Sequence, residues 1–165
     1  VPDKAVIMGV DAALYVTGVG IITAHGDDLK VVHTALIRTS DKEKLPQRLE
    51  KIYNSICELI EKYKPDILAL EDIFYSKNLK IALSLGQARG VIMLACSKYG
   101  VKLAEYSARE IKQAITGNGG ASKEQVAYMV KGLLQIDTDF KTLDISDSLA
   151  AAICAGFKIN SVVAQ

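Results

Sequence analysis

Residues 45–71 read LPQRLEKIYNSICELIEKYKPDILALE, and the change of rhythm inside this stretch decides the fold. Leu45, Leu49, Ile52, Tyr53, Ile56, Leu59, Ile60 and Tyr63 recur every three or four residues, the spacing of a helix with one apolar face. Pro46 suits the first turn of that helix, and Pro65 bars its continuation. Ile67-Leu68-Ala69-Leu70 then runs apolar without a break, as expected of a strand covered on both faces, and it ends on a carboxylate, Glu71.

Toward the N-terminus, Ala5–Val10, Gly18–Thr23 and the more loosely alternating Lys30–Thr39 read as three hairpin-connected antiparallel strands, with Gly26-Asp27-Asp28 the clearest turn. Toward the C-terminus, roughly Leu79–Tyr99 reads as a long helix despite Gly86 and Gly90, and Val101–Tyr106 as a fifth strand. Ser107-Ala108-Arg109-Glu110 and Ser122-Lys123-Glu124-Gln125 match the capping-box pattern that opens helices. An alanine-rich helix is expected from about Asp144 to Phe157. The sum is an α/β sandwich: a five-stranded mixed sheet of three antiparallel strands and then parallel ones, with helices on both faces. This outline resembles the RNase H-like fold. With no repeat or linker, residues 1–165 are expected to form one domain.

Half of the chain is hydrophobic and 24% charged, ordinary values for a soluble protein. No run approaches the ~18–20 consecutive apolar residues of a membrane span, and nothing suggests export. Cys57, Cys96 and Cys154 are scattered through apolar patterns and read as reduced thiols of a cytoplasmic protein, neither disulfides nor a zinc site. A net charge of +1 does not announce nucleic-acid binding, so any DNA affinity needs local clusters of Lys and Arg.

The chemistry lies in four carboxylates. Asp11 directly follows the first strand and Glu71 the fourth. If those strands are adjacent and parallel, both side chains emerge at the carboxyl edge of the sheet, where open α/β sheets place their sites. Asp144 and Asp147, three apart at the start of the last helix, share one of its faces. Docking that helix beside strand one would gather all four. Such crowded anions call for hard divalent cations, Mg²⁺ or Mn²⁺, and two such ions suit in-line phosphoryl displacement. Each residue also has an ordinary reading. Asp11 can be a turn residue, Asp144 an N-cap, Asp147 a first-turn partner of the helix dipole, and Glu71 the partner of a lysine. Spacing alone supports a metal site and stops there.

The stretch Glu71-Asp72-Ile73-Phe74, with Asn78, Ala82 and Leu85-Gly86-Gln87-Ala88-Arg89-Gly90, resembles the signature of the RuvC Holliday-junction resolvases. Met8-Gly9-Val10-Asp11 is similar to that family's opening motif, and Asp144-Ile145-Ser146-Asp147-Ser148-Leu149-Ala150 to its closing one. The likeness covers about Met8 to Ala155 with the motifs in order. It implies a homodimeric RNase H-like endonuclease that cuts four-way DNA junctions by symmetric paired nicks in recombination and repair. It also implies one or two Mg²⁺ ions per subunit, replaceable by Mn²⁺, at Asp11, Glu71, Asp144 and Asp147. Lys112 and Lys123 map onto basic residues near the scissile phosphate, and Phe74 onto an aromatic that inserts near the crossover. Lys77, Lys80 and Arg89, with Lys112 and Lys123, are expected on the DNA-facing surface, and Arg109 is weighed with them. The branch-migration proteins RuvA and RuvB enter as candidate partners.

Two positions depart from the family pattern. Ala12-Ala13 replaces the usual Pro-Gly after the first aspartate, and Ser148 stands where alanine is usual. Glycine permits backbone angles that alanine does not, so the loop can differ in shape. A junction-binding protein with impaired catalysis is therefore the alternative reading. An actin-like ATPase is disfavoured by the chain's size, and a general RNase H activity is the closer rival.

Other features carry bland readings beside functional ones. Phe74 can be core, Arg89 and Arg109 can be salt-bridged helix residues, and Gly117-Asn118-Gly119-Gly120 is more simply a turn than a phosphate cradle. His25 and His33 read as surface residues. Gly86 and Gly90, four apart, allow close helix approach, which leans toward a dimer contact.

Overall fold

The computed structural model describes residues 4–72 and 78–163, with side chains through residue 159. Among the described residues ten elements occur in the expected order. They are β1 (Ala5–Asp11), β2 (Val16–His25), β3 (Asp28–Arg38), α1 (Leu45–Tyr63), β4 (Ile67–Glu71), α2 (Leu79–Tyr99), β5 (Lys102–Tyr106), α3 (Ala108–Thr116), α4 (Lys123–Leu133) and α5 (Leu143–Val163). α5 therefore runs past the Phe157 expected as its end. The sheet order is β3-β2-β1-β4-β5. β1 pairs antiparallel with β2 and parallel with β4, so Asp11 and Glu71 close neighbouring strands that run the same way.

Strand parity sorts the core into two layers. Ile7 and Ile22, with Ile67 and Ala69, face α3, α4 and α5. Met8, Val10, Val19, Ile21, Leu68 and Leu70 face α1 and α2. Alternation places Gly9 and Asp11 on the α5 side of β1, and Glu71 on the α5 side of β4. α5 lies almost directly on β1 and β2 because three glycines leave room. A β-carbon on Gly9 would stand 1.9 Å from the Ser148 carbonyl oxygen. One on Gly18 would stand 2.2 Å from that of Asp144, and one on Gly20 would stand 2.6 Å from Leu149 Cδ2. Gly9 pairs with Gly20 and Asp11 with Gly18, so these glycines form one floor under the helix. On α5, Ser148 and Ala152 meet Gly9, Asp144 meets Gly18 and Leu149 meets Gly20, while every residue of Ala150–Ala155 is fully or nearly fully buried.

Both expected capping boxes form. The Ser107 hydroxyl accepts from Glu110 N at 3.2 Å while Glu110 accepts from Ser107 N at 2.9 Å. Ser122 and Gln125 reciprocate at 3.2 and 2.8 Å. α2 is capped by Asn78, whose side chain accepts from Lys80 N and Ile81 N. Its 21 residues are apolar enough to cross a membrane by length and composition. Ala88, Ile92, Ala95 and Cys96 nevertheless pack into the core between α1 and the sheet. Cys57, Cys96 and Cys154 are buried free thiols, as expected.

Candidate active site

Asp11, Glu71 and Asp147 line one cavity of about 250 Å³ at the carboxyl edge of β1 and β4, with Lys112, Lys123 and Ala12 among its other walls. Each arrives by a different local route. Asp11 and Glu71 are strand ends of matching parity. Asp147 comes from the first turns of α5, set down on the glycine floor. Lys123 is the first residue after the Ser122 cap of α4, and Lys112 projects from α3. Asp144, one turn before Asp147, is half-buried above Gly18, the cross-strand partner of Asp11.

Burial and crowding of like charge bear on two of these carboxylates, Asp11 and Glu71. Burial and the charges of Asp147, Asp144 and Glu71 push the Asp11 carboxyl up to about 7, with Lys123 opposing. Glu71 is raised as well, by desolvation and then Asp147, against the pull of Lys123, Lys112 and Arg89. Lys123 donates to Asp147 Oδ2 at 2.9 Å and is raised by that bond and by the charges of Asp147, Asp11 and Glu71. Four carboxylates and two lysines thus share one electrostatic environment. Among the described residues, no three His, Cys, Asp or Glu side chains converge closely enough to cage an ion unaided. The donors are hard oxygens held by rigid elements, and burial with mutual repulsion disfavours the charged forms of Asp11 and Glu71. Such a set suits a hard divalent cation whose remaining ligands come from a phosphate substrate.

The loop after Asp11 is unstrained. Among the described residues only Lys64 and Gln135 are non-glycine residues with positive φ, so neither Ala12 nor Ala13 occupies a conformation that requires glycine. Thr17, fully buried, closes the loop by donating to the Ala13 carbonyl at 2.6 Å. Ser148 is also accommodated, its hydroxyl donating to the Ile145 carbonyl at 2.8 Å.

Arg89 corrects an expectation. It was expected on the DNA-facing surface but is only 5% exposed. Its guanidinium donates to the Glu71 carbonyl and to Glu105 Oε1, with Asp72 Oδ1 3.9 Å away. α2 turns this arginine into the sheet, where it ties the ends of β4 and β5 together behind Glu71. Sequence periodicity signalled a helix but carried no sign of this partner. Lys80 is exposed at the start of α2. Phe74 and Lys77 lie outside the described residues.

The glycine-rich segment is a turn whose amides are committed internally. Gly119 N donates to Gln113 Oε1 at 3.1 Å and Gly120 N to Asn118 Oδ1 at 2.9 Å. Asn118 N donates to Thr116 Oγ1 at 3.1 Å. His25 sits at the β2–β3 hairpin, the opposite end of β2 from Gly18, and His33 stacks on Tyr63 with ring centroids 5.0 Å apart.

Comparison with known proteins gives a consistent picture. The profile of the family described as "Crossover junction endodeoxyribonuclease RuvC" matches residues 7–155. A protein of that name from Chloroherpeton thalassium is 45% identical over 160 residues, covering 97% of this chain and 86% of its own. Another from Caldicellulosiruptor saccharolyticus is 40% identical, covering 96% of each. Among solved structures, RuvC of T. thermophilus in complex with a Holliday junction substrate superposes with a TM-score of 0.91 at 27% identity, covering 96% of each chain. The yeast mitochondrial Holliday junction resolvase shares the fold, with a TM-score of 0.65 at 14% identity. A matched stretch that begins within β1 and ends within α5 takes in every element that builds the acidic cavity, and the chain belongs to the RuvC family of crossover junction endodeoxyribonucleases.

Proposed function

We propose that this chain resolves Holliday junctions, hydrolysing one phosphodiester in each of two symmetry-related strands of a four-way DNA junction. The observation that carries this reading is the convergence of Asp11, Glu71 and Asp147 with Lys112 and Lys123 on one cavity at the sheet edge, in a chain of the RuvC family. One or two Mg²⁺ ions per subunit, or Mn²⁺ in their place, held by these four carboxylates would supply Lewis-acid stabilisation of the phosphoryl oxygens.

The chain's own residues do the rest. Asp11 and Glu71, fixed at strand ends, set the position of the reacting phosphate relative to the sheet. Lys123, now bonded to Asp147, and Lys112, across the cavity, offset negative charge that grows on the phosphate in the transition state. Leu85, Ile111, Val126 and Ala150 line the same cavity and limit bulk water around that phosphate. Phe74 meets the unpaired region near the crossover, and Lys77 and Lys80 contact phosphates beyond it.

Two cuts need two sites. Leu79, Leu83 and Leu94 share one face of α2 and are each more than half exposed, and a β-carbon on Gly86 or Gly90 of that face would meet nothing within 4 Å. This face, exposed among the described residues, supports a homodimer whose two-fold axis matches that of the junction. Residues 1–165 then serve as one nuclease domain per subunit. The test compares Mg²⁺-dependent cutting of a synthetic four-way junction, a linear duplex and an RNA–DNA hybrid. Symmetric nicks on the junction alone support the reading. Equal cutting of the hybrid would favour a general RNase H activity instead.

A further inference from the structure

Tyr15 is exposed in the loop that follows Asp11, against α1, and its setting is built rather than incidental. It ends the short β1–β2 loop, four residues after Asp11, at the carboxyl edge of β1, and it remains 55% exposed. The Arg48 guanidinium lies against one side of the ring, 4.3 Å from its centroid. Arg48 itself is only 6% exposed. It donates through Nε to Thr39 Oγ1 at 2.9 Å and through Nη2 to the Leu14 carbonyl at 3.3 Å. Thr39 in turn donates from its hydroxyl to the Leu14 carbonyl at 2.5 Å and from its backbone N–H to the Tyr15 carbonyl at 3.0 Å. Among the described residues, no carboxylate forms an ion pair with Arg48. A buried cation answered by neutral oxygens and an aromatic face costs free energy to maintain, so its position calls for an explanation beyond packing.

We propose that Tyr15, backed by Arg48, is a stacking platform for a nucleobase of the DNA substrate, at the same carboxyl edge of the sheet as the cavity that takes the phosphate. The inference rests on the resolvase reading and deepens it. A base inside a duplex has both faces covered, whereas a strand crossover exposes base faces. The inner side of the Tyr15 ring is filled by the guanidinium, which leaves the outer side for a ligand and holds the ring against rotation. An aromatic ordered before binding loses little side-chain entropy on stacking. The cation behind it draws electron density from the ring and strengthens its attraction for an electron-rich base. Base–aromatic stacking is tolerant of sequence, so the platform adds affinity and register rather than base readout.

The chain contains no tryptophan, so Tyr15→Trp introduces a single indole whose emission reports stacking directly. A labelled four-way junction is titrated into the full chain in chelator, with binding followed by anisotropy and stacking by emission. His25→Trp, on the hairpin at the opposite end of β2, is the control for unspecific quenching. The emission of Tyr15→Trp is expected to fall on binding while that of His25→Trp holds. Tyr15→Phe should keep the affinity within about twofold, and Tyr15→Leu, which still covers Arg48 with apolar atoms, should weaken it roughly fivefold or more without lowering Tm. Binding of the junction with unchanged emission, or unchanged affinity in Tyr15→Leu, overturns the platform and leaves the resolvase reading standing. Failure of the unaltered chain to bind the junction at all would remove both.

Discussion

Gly18 lies directly beneath Asp144: a β-carbon built on the glycine would stand 2.2 Å from the Asp144 carbonyl oxygen and 3.0 Å from its Cβ. Because Gly18 is also the cross-strand partner of Asp11, this contact sets how closely the first turn of α5 approaches the end of β1. Gly18→Ala should push that turn outward, costing on the order of 2–3 kcal/mol of stability and most of the cleavage activity. Thermal melts and junction cleavage check this. Gly132→Ala, in α4 with open space around its Cβ, serves as a folding control that should not lower Tm.

Asp11 gives the metal-free protein a distinctive pH dependence. Its carboxyl is raised from 3.8 to about 7, so the folded state holds this proton more tightly than the unfolded chain does. The stabilisation is complete below the unfolded value and is lost as pH rises through about 7. In chelator, Tm should therefore fall between about pH 4 and pH 7, and Asp11→Asn should flatten that fall and stabilise the protein at the upper end by on the order of 2 kcal/mol. Mg²⁺ should restore Tm there in the unaltered chain far more than in Asp11→Asn.

Lys123→Ala removes the donor that holds Asp147 Oδ2 and the cation that most directly opposes the charge on Asp11 and Glu71. Cleavage should fall by about 10²–10³-fold, the scale of one lost charge-stabilising donor. Junction affinity should change little, because one phosphate contact among many is lost. Single-turnover cleavage beside equilibrium binding separates the two effects.

Arg89→Ala distinguishes a buried brace from a DNA contact. A brace leaves the Glu71 carbonyl and Glu105 without their donor, so the substitution should lower stability by roughly 2–4 kcal/mol. A surface DNA contact would instead reduce junction affinity and its salt dependence, with Tm unchanged. Denaturant melts and salt titrations of binding read the difference.

The parts of this architecture that depend on local pattern were legible in the sequence. The uninterrupted Ile67–Leu70 run announces a strand between two helix layers, and the two Ser-x-x-Glu/Gln boxes announce α3 and α4 with Lys123 at a helix start. Parity then carries Asp11 and Glu71 to one face. What escaped depends on register or on distant partners. Gly9, Gly18 and Gly20 look unrelated along the chain and become one floor only when β1 and β2 pair. Arg89 belongs to a helix pattern that gives no sign of Glu105, sixteen residues further on. Arg48 is hidden for the same reason, since its partners Leu14 and Thr39 come from other segments. Asp144 and Asp147 could be placed on one helix face but not over β1, because that contact is made by the glycines.

The most direct test of the central claim is to map the nicks made in an end-labelled four-way junction by the unaltered chain and by Asp11→Asn, with and without Mg²⁺. Metal-dependent resolution at the acidic cavity predicts paired nicks at symmetry-related positions in two opposite strands, dependent on Mg²⁺ and abolished in Asp11→Asn, which still binds the junction. Metal-independent cutting, or nicks that persist in Asp11→Asn, would contradict it.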